Sequence, residues 1–213
     1  MNGDCHQQQR EHRVLIRPRW PLHSNTRLTY ADELYGSKRR LSASMLLANN
    51  QVKGLTWEVM DGHDVWLAEC EKIGYKPAAR RYEEGTRTSQ DAADQLGCEV
   101  AHIAKSIVFA GEDGAVVVIT SGANRVDRKK KLKRLLGYKP SMTDPEYISN
   151  KTGYAPGGVP PFGHIKPCTV LMDEDLFQYD LVWGAAGSAQ TVFPITPDEL
   201  QRVAGAMVGD VKQ

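Results

Sequence analysis

Residues 153–164 read GYAPGGVPPFGH, with four glycines and three prolines in twelve residues, and the rest of the chain is arranged around this segment. Neither a helix nor a central strand runs through such a composition, because proline lacks a backbone N–H and glycine weakens both elements. Glycine also permits positive φ and close backbone approach, while proline stiffens what remains. The segment predicts a rigid loop that presents backbone N–H groups to a small polar ligand. A long surface turn has the same composition, so the segment alone leaves both interpretations open.

The composition is that of a cytoplasmic globular protein. The 213 residues suffice for one sizeable domain with a hydrophobic core. The net charge is +1 with 25% charged residues, so any attraction to nucleic acid must come from a local patch. No apolar run approaches the roughly 18 residues of a membrane span. The four cysteines, Cys5, Cys70, Cys98 and Cys168, have no metal-binding spacing, which predicts reduced thiols and no bound metal.

The chain divides into an extension and one domain. Residues 1–59 show no sustained hydrophobic period, and their arginines are scattered among Gln, His and Pro. This favours a poorly ordered basic extension, with weak RNA binding as the alternative to a solvated tail. The ordered domain is predicted at residues 60–213, beginning with a helix capped by Asp64 and ended by Gly74. Its predicted apolar stripe comprises Trp66, Leu67, Cys70 and Ile73.

The pattern of the domain mixes helices with hairpins. Residues 103–110 and 115–120 are β-rich runs joined by Glu112-Asp113-Gly114, which predicts a hairpin. Cap and turn signals predict further helices from Thr88, Asp127, Thr143 and Thr196, and strands near residues 78–82, 169–172, 181–185 and 191–195. The predicted fold class is therefore α+β, with a mixed, largely antiparallel sheet and packed helices.

A lysine interrupts one face of the first predicted hairpin strand. Alternation places Lys105 between Ile103 and Ile107 on an apolar face. A lysine in this position commonly reaches the rim of the sheet or protects an edge strand. A functional role is the alternative, since a buried amine without a partner is costly.

Basic residues are concentrated at 125–134, where seven cations accompany a single acid. They are Arg125, Arg128, Lys129, Lys130, Lys131, Lys133 and Arg134. Their density in an otherwise balanced chain favours binding to a phosphate backbone, and a solvated helix face is the alternative.

The sequence contains no common hydrolase, zinc-protease or phosphate-loop motif. Two further polar residues each have two possible roles. His164 is either a hydrogen-bonded loop residue or a contact to substrate. Asp173 ends a predicted strand, where it either lines a cleft or caps the following turn.

Three blocks carry a resemblance to a known family: IAKSIVF at 103–109, SGANRVD at 121–127, and TGYAPGGVPPFGH at 152–164. From about Asp64 to the end, the chain resembles the YbaK/prolyl-tRNA-synthetase-associated domain family. Members are aminoacyl-tRNA editing hydrolases that cleave the ester joining a wrong small amino acid to the tRNA 3′ end. The resemblance implies a YbaK-like single domain without a cofactor, acting on the acceptor end of an aminoacyl-tRNA, with an aminoacyl-tRNA synthetase as a further partner.

The resemblance also assigns residue roles. Lys105 matches the essential lysine that holds the 3′ end and the reacting ester, and Gly157 and Gly158 match the loop whose backbone positions the aminoacyl group. Water attack with backbone donors, and a ribose hydroxyl as base, would suffice for an activated ester. The implied substrate-binding residues are Ser106, Val159, Pro160, Pro161, Gly163, His164, Asp173 and Ala185. The implied tRNA-binding residues are Arg125, Arg128, Lys129, Lys130 and Lys133.

The substrate amino acid is left open by two departures from the family pattern. The cysteinyl-tRNA-specific branch has Ser-Gly-Gly where this chain has Ala185-Ala186-Gly187, and the alanine-specific branch commonly has asparagine where this chain has Ser106. Alanine or another small residue is favoured over cysteine, on tRNA-Pro or a related tRNA. A regulatory module that binds tRNA without turnover is the competing function, and nucleotide binding lacks a phosphate-loop pattern.

Overall fold

The computed structural model describes residues 61–83 and 88–213, and the predicted basic extension at 1–59 lies outside them. The helices are α1 Gly62–Lys72, α2 Ser89–Leu96, α3 Lys133–Leu136, α4 Pro145–Thr152 and α5 Pro197–Ala204. The strands are β1 Arg80–Arg81, β2 Ile103–Ala110, β3 Ala115–Ser121, β4 Cys168–Asp173, β5 Val182–Ala185, β6 Thr191–Ile195 and β7 Met207–Gly209. No helix in these two ranges is long and apolar enough to cross a membrane.

The strands of the described residues form one seven-stranded sheet in the order β1-β6-β5-β2-β3-β4-β7. Three neighbouring pairs are antiparallel, and the pairs β2–β5, β3–β4 and β4–β7 are parallel. The longest antiparallel pairing is the β2–β3 hairpin, in register from Ala104↔Ser121 to Ala110↔Ala115. The predicted α+β class with a mixed sheet and packed helices is confirmed, and so is the predicted hairpin.

The central strand β3 is covered on both faces, and all seven of its residues are buried. Val117 and Ile119 face the larger apolar cluster, which contains Trp66, whereas Val116 and Val118 face a second cluster. Burial of both faces explains why β3 is a continuous apolar run rather than an alternating one.

Alternation along β2 follows the sequence prediction. Ala104 and Val108 belong to the larger cluster, while Ile107 and Phe109 pack in the second cluster on the other face. Lys105 therefore lies on the face of Ile107 and Phe109, as the two-residue period predicts.

Most helix ends lie where the cap signals place them. Thr88 and Asp91 form a reciprocal capping box at the start of α2, and the Thr196 hydroxyl caps α5. The Asp144 carboxylate accepts from the Tyr147 N–H at 2.7 Å, which caps α4. These signals are local, since a cap needs only the first turn of its helix.

The start of α1 corrects a prediction. Asp61, not Asp64, is the N-cap, and its carboxylate accepts from the His63 N–H at 2.7 Å. The predicted apolar stripe is buried only in part, because Leu67 and Ile73 are 38% and 53% exposed. The earlier start brings Gly62 against the backbone of Gly187, where an added Cβ would lie 2.1 Å from the Gly187 carbonyl oxygen.

The central part of the basic run lies in a π turn that spans Arg128–Leu132, before α3. The Leu132 N–H donates to the Asp127 carbonyl five residues back at 3.0 Å, and the Asp127 carboxylate caps the N–H groups of Lys129 and Lys130. Leu132 is fully buried in the second cluster, so its side chain fixes the end of the turn against the core. Such turns hold one more residue than an α-helical turn.

The C-terminal strand β7 was not predicted from the sequence. It has three residues and pairs in parallel with β4, so no local turn marks it. The chain then returns to the basic run, where the Asp127 N–H donates to the Val211 carbonyl at 2.8 Å and the Gln213 N–H donates to the Arg125 carbonyl at 2.9 Å. These bonds fix the backbone on which the first cations of the run are carried.

Candidate active site

A crevice opens in the sheet where β5 leaves β2. Among the described residues the two strands pair at Ile103 and Ala104 of β2 and then separate. The edge of β2 is covered again at its far end, where Ala110 pairs with Ser141. Between these points, residues 105–107 face a cavity of about 310 Å³. The predicted site residues on its wall are Lys105, Ser106, Gly157, Val159 and Ala185.

Lys105 is half-buried at the crevice. Its Nζ donates to the carbonyls of Gly122 at 3.0 Å and Asn124 at 2.6 Å, and these are its hydrogen-bond acceptors among the described residues. An ammonium group has three N–H donors, so one is left for a ligand. Burial and then the nearby Arg125 lower the pKa of Lys105, while Asp173 acts in the opposite direction. The site therefore combines a fixed cation with an available donor.

A polar network holds Asn124, whose carbonyl is one of the two that accept from Lys105. The Asn124 side chain donates to Asp173 at 2.8 Å and to Asp175 at 2.9 Å. Asp173 is fully buried and also accepts from the Thr120 hydroxyl at 2.7 Å. Its second oxygen caps the turn after β4 by accepting from the Asp175 N–H at 3.3 Å. Asp173 thus lies behind Lys105 in this network and is not on the cavity wall.

Ser106 lies at the centre of the open edge. On this edge the Ala110 N–H donates to the Ser141 carbonyl at 2.9 Å and the Val108 carbonyl accepts from Thr143 at 2.8 Å. Because backbone groups alternate in direction along an antiparallel strand, the N–H and carbonyl of Ser106 point the same way, into the crevice. The Ser106 hydroxyl oxygen is buried and has no hydrogen-bond partner within the described part of the chain. A buried polar atom in this condition is typical of a site that binds a polar ligand.

The glycine–proline loop forms the opposite wall. Gly157 has φ of 86°, and Val159 is buried against the larger cluster. The loop is held in place by the Trp66 indole, which donates to the Phe162 carbonyl at 3.1 Å. The Gly158 N–H donates to the Ala155 carbonyl at 3.0 Å, so this amide is engaged within the loop, contrary to the expected row of bare N–H groups.

Other predicted residues lie away from the crevice. Pro160 and Pro161 are buried behind the wall of the crevice, and the Pro160 carbonyl contacts His164 Nε2 at 2.9 Å. Burial lowers the pKa of His164. Gly163 and His164 line a separate cavity of about 340 Å³ beside α5, so the hydrogen-bonded interpretation of the histidine fits its position. The positive φ of Gly163, 77°, directs the chain there.

Three of the predicted tRNA-binding residues, Arg125, Arg128 and Lys129, line a cavity together with Lys105, on the face of β2 that carries it. Arg125, Lys129, Lys130 and Lys133 are exposed. Arg128 is half-buried and donates to the Pro140 carbonyl at 2.7 Å. Lys131 is paired with Asp210, so it differs from its exposed neighbours.

Sequence reasoning missed Asn124 and Trp183 as site residues. Asn124 contacts Lys105 through its backbone carbonyl, and its side chain donates to the distant residues Asp173 and Asp175. The sequence offers no signal for either kind of contact. Trp183 lines the crevice, with the guanidinium of Arg80 5.0 Å from the centre of its ring. An aromatic residue followed by Gly-Ala in a short strand was the available signal. Within the described residues no group of three or more His, Cys, Asp or Glu could hold a metal ion.

The chain matches one family model and is similar to several known proteins and solved structures. A family model described as an aminoacyl-tRNA editing domain matches residues 83–203, more than half of the chain. The chain is 33% identical to the protein YwhH of Bacillus subtilis over 56% of this chain and 76% of that protein. It is 25% identical to a candidate Cys-tRNA(Pro)/Cys-tRNA(Cys) deacylase, EbsC of Enterococcus faecalis, over 68% and 89% of the two chains. A solved candidate trans-editing enzyme for prolyl tRNA synthetase has a TM-score of 0.68 and 38% identity, covering 73% of this chain and 99% of that one.

Proposed function

The chain belongs to the aminoacyl-tRNA editing domain family, and from this premise we propose that it is a trans-editing hydrolase of mischarged tRNA. It cleaves the ester between a small wrong amino acid and the 3′ end of tRNA-Pro or a related tRNA. The single observation that carries the proposal is the free N–H donor of Lys105 beside the open edge of β2 at Ser106.

The reaction is the attack of water on the ester carbonyl carbon. A bond forms between the water oxygen and this carbon, the carbon–oxygen bond to the ribose breaks, and the ribose oxygen leaves with a proton. An aminoacyl ester is already activated, so the protein must chiefly position it and stabilise the developing oxyanion. No nucleophilic side chain is required, and a neighbouring ribose hydroxyl supplies the base.

The residues on the crevice divide this work. The Lys105 ammonium and the Ser106 N–H are donors to the ester end, where negative charge develops. Gly157 and Val159 hold the amino acid from the opposite wall, and Ala185 bounds the space for its side chain. Asn124 is a positioning residue, because its carbonyl directs Nζ of Lys105.

The preference for a small amino acid comes from the sequence of the wall. Residues 185–187 are Ala-Ala-Gly and lack the Ser-Gly-Gly of the cysteinyl-tRNA-specific branch, which favours alanine or another small residue over cysteine. The relative EbsC is a candidate Cys-tRNA deacylase, so cysteine belongs in any test. A cytoplasmic location and contact with an aminoacyl-tRNA synthetase are further parts of the proposal.

The test is a deacylation screen of purified protein against tRNA-Pro carrying alanine, cysteine, serine or proline. We expect release of alanine or another small residue well above the uncatalysed rate and little release of proline. Lys105→Met is the matched control, since it keeps the length and removes the charge. Binding of tRNA without release from any of these substrates would overturn the hydrolase proposal and support the regulatory module instead.

A further inference from the structure

A second cavity adjoins the crevice on the other side of Lys105. Its volume is about 420 Å³, and Lys105 and Ile107 line both spaces. The second cavity is therefore within reach of a ligand whose ester is held at Lys105 and whose amino acid lies in the first cavity.

The wall of the second cavity is strongly cationic. Arg125, Arg128 and Lys129 contribute three positive charges. The single acid on the wall, Asp127, already accepts the N–H groups of Lys129 and Lys130 at 3.0 and 2.9 Å. Arg128 donates to the Pro140 carbonyl through one nitrogen, and its guanidinium has further N–H donors that this bond does not use. The charge favours a phosphate or another anionic group.

The floor of the same cavity is apolar. Phe109 is buried, Ile107 is half-buried, and Met142 is 68% exposed at the rim. A thioether makes favourable contacts with an aromatic ring, and a guanidinium on the same wall adds a cation–π contact, so this wall suits a planar base. An inorganic anion would use the cations and leave this floor uncovered.

We propose that the second cavity binds the 3′-terminal nucleotide of the tRNA, with the base on Met142 and Ile107 and the phosphate at Arg125 and Arg128. This inference rests on the proposed function and locates the nucleotide that carries the ester. The exposed Lys130 and Lys133 continue the cationic surface beyond the cavity, where the preceding phosphates lie.

The experiment compares two uncharged probes: tRNA-Pro with its complete 3′ end, and the same tRNA without its terminal nucleotide. Wild-type protein should bind the complete tRNA about tenfold more tightly, since a tenfold ratio corresponds to about 1.4 kcal/mol, which lies within the range for stacking of one base. Met142→Ala should reduce this ratio to about two, and Arg125→Gln should reduce it as well. The matched controls are Met207→Ala, an exposed methionine on β7, and Arg134→Gln, an exposed cation outside the cavity. Both controls should keep the ratio, although Arg134→Gln weakens binding of both probes.

A ratio of one in wild-type protein, or an unchanged ratio in Met142→Ala, would overturn the nucleotide site. An unchanged ratio in Met142→Ala would overturn the site even if Arg125→Gln lowers the ratio, because a cavity that binds only phosphate does not need the methionine. The measurement is independent of turnover. If the protein prefers the complete tRNA but deacylates no mischarged tRNA, the nucleotide site stands and the hydrolase proposal is refuted. If it deacylates mischarged tRNA but shows no such preference, only the nucleotide site is refuted.

Discussion

Replacing Lys105 by alanine tests the chemistry of the crevice most directly. Two of its three N–H donors are used by the carbonyls of Gly122 and Asn124, and the third is left for the ester end of the substrate. Loss of one preorganised, charged donor to an oxyanion costs about 2.7–4 kcal/mol in the transition state. We therefore expect Lys105→Ala to slow deacylation by about 10² to 10³-fold.

Lys105→Arg should restore little of this activity. The ammonium is held between two carbonyl oxygens at 3.0 and 2.6 Å, and a planar guanidinium cannot occupy the same point with its donors in the same directions. The free energy of unfolding should change by less than about 1 kcal/mol in Lys105→Ala, because two lost hydrogen bonds are offset by removal of a half-buried charge.

The assay is single-turnover release of labelled amino acid from mischarged tRNA with enzyme in excess, so that product release does not limit the rate. Thermal unfolding of each variant shows that the fold is retained. A substrate ending in 2′-deoxyadenosine should also react slowly if the ribose hydroxyl is the base. Turnover of Lys105→Ala within a few fold of wild type, with the unfolding transition intact, would refute the role assigned to the lysine.

Three further outcomes are expected. Deletion of residues 1–59 removes none of the site residues, so the protein should unfold cooperatively and keep turnover within a few fold, and loss of the cooperative thermal transition would contradict this. Replacing Lys129, Lys130 and Lys133 by glutamine should lower the slope of log binding constant against log salt concentration by about 2 to 3, because each phosphate contact contributes about 0.9. Lys131 is left unchanged because it is paired with Asp210. An unchanged slope in titrations at several salt concentrations would identify the run as a solvated face. Gly62→Ala should lower the free energy of unfolding by about 2 kcal/mol or more, since its Cβ would lie 2.1 Å from a backbone oxygen. The control is Gly74→Ala, where the added Cβ would meet no other atom and the only cost is the positive φ of 70°. It should lower the free energy of unfolding by about 1 kcal/mol, with both variants measured by denaturant titration. Equal losses in the two variants would contradict the close contact between Gly62 and Gly187.

The features that the sequence predicted well are those decided within one turn or one strand. The capping box of Thr88 and Asp91 needs four consecutive residues, and the alternation that isolates Lys105 needs only the strand itself. The hairpin was predictable for the same reason, because its turn joins the two strands directly.

The crevice could not be predicted, because it depends on where two distant strands separate. β2 and β5 are about eighty residues apart in the chain, and nothing in either strand shows that their pairing ends after Ala104. The start of α1 also involves distant residues. The Asp61 carboxylate, which caps the His63 N–H, pairs with Arg81 at 3.0 Å, and Gly62 lies against Gly187; neither contact is visible in the local pattern.

The two interpretations of His164 depend on different parts of the structure. The loop interpretation included a hydrogen bond, and the imidazole contacts the Pro160 carbonyl. Its expected position against substrate depended on the path of the chain after Gly163, which leads to a different cavity. A single sequence does not contain that path.

The π turn at Arg128–Leu132 has a consequence for how this family can vary through evolution. A turn with one residue beyond the α-helical number loses one codon at little cost, because the N–H of Leu132 can then bond four residues back and the leucine keeps its buried place. The residues on either side of the turn would keep their directions, because the deletion removes only the extra residue. A one-residue deletion among Arg128–Lys131 would therefore remove one cation from this surface and leave the buried core unchanged.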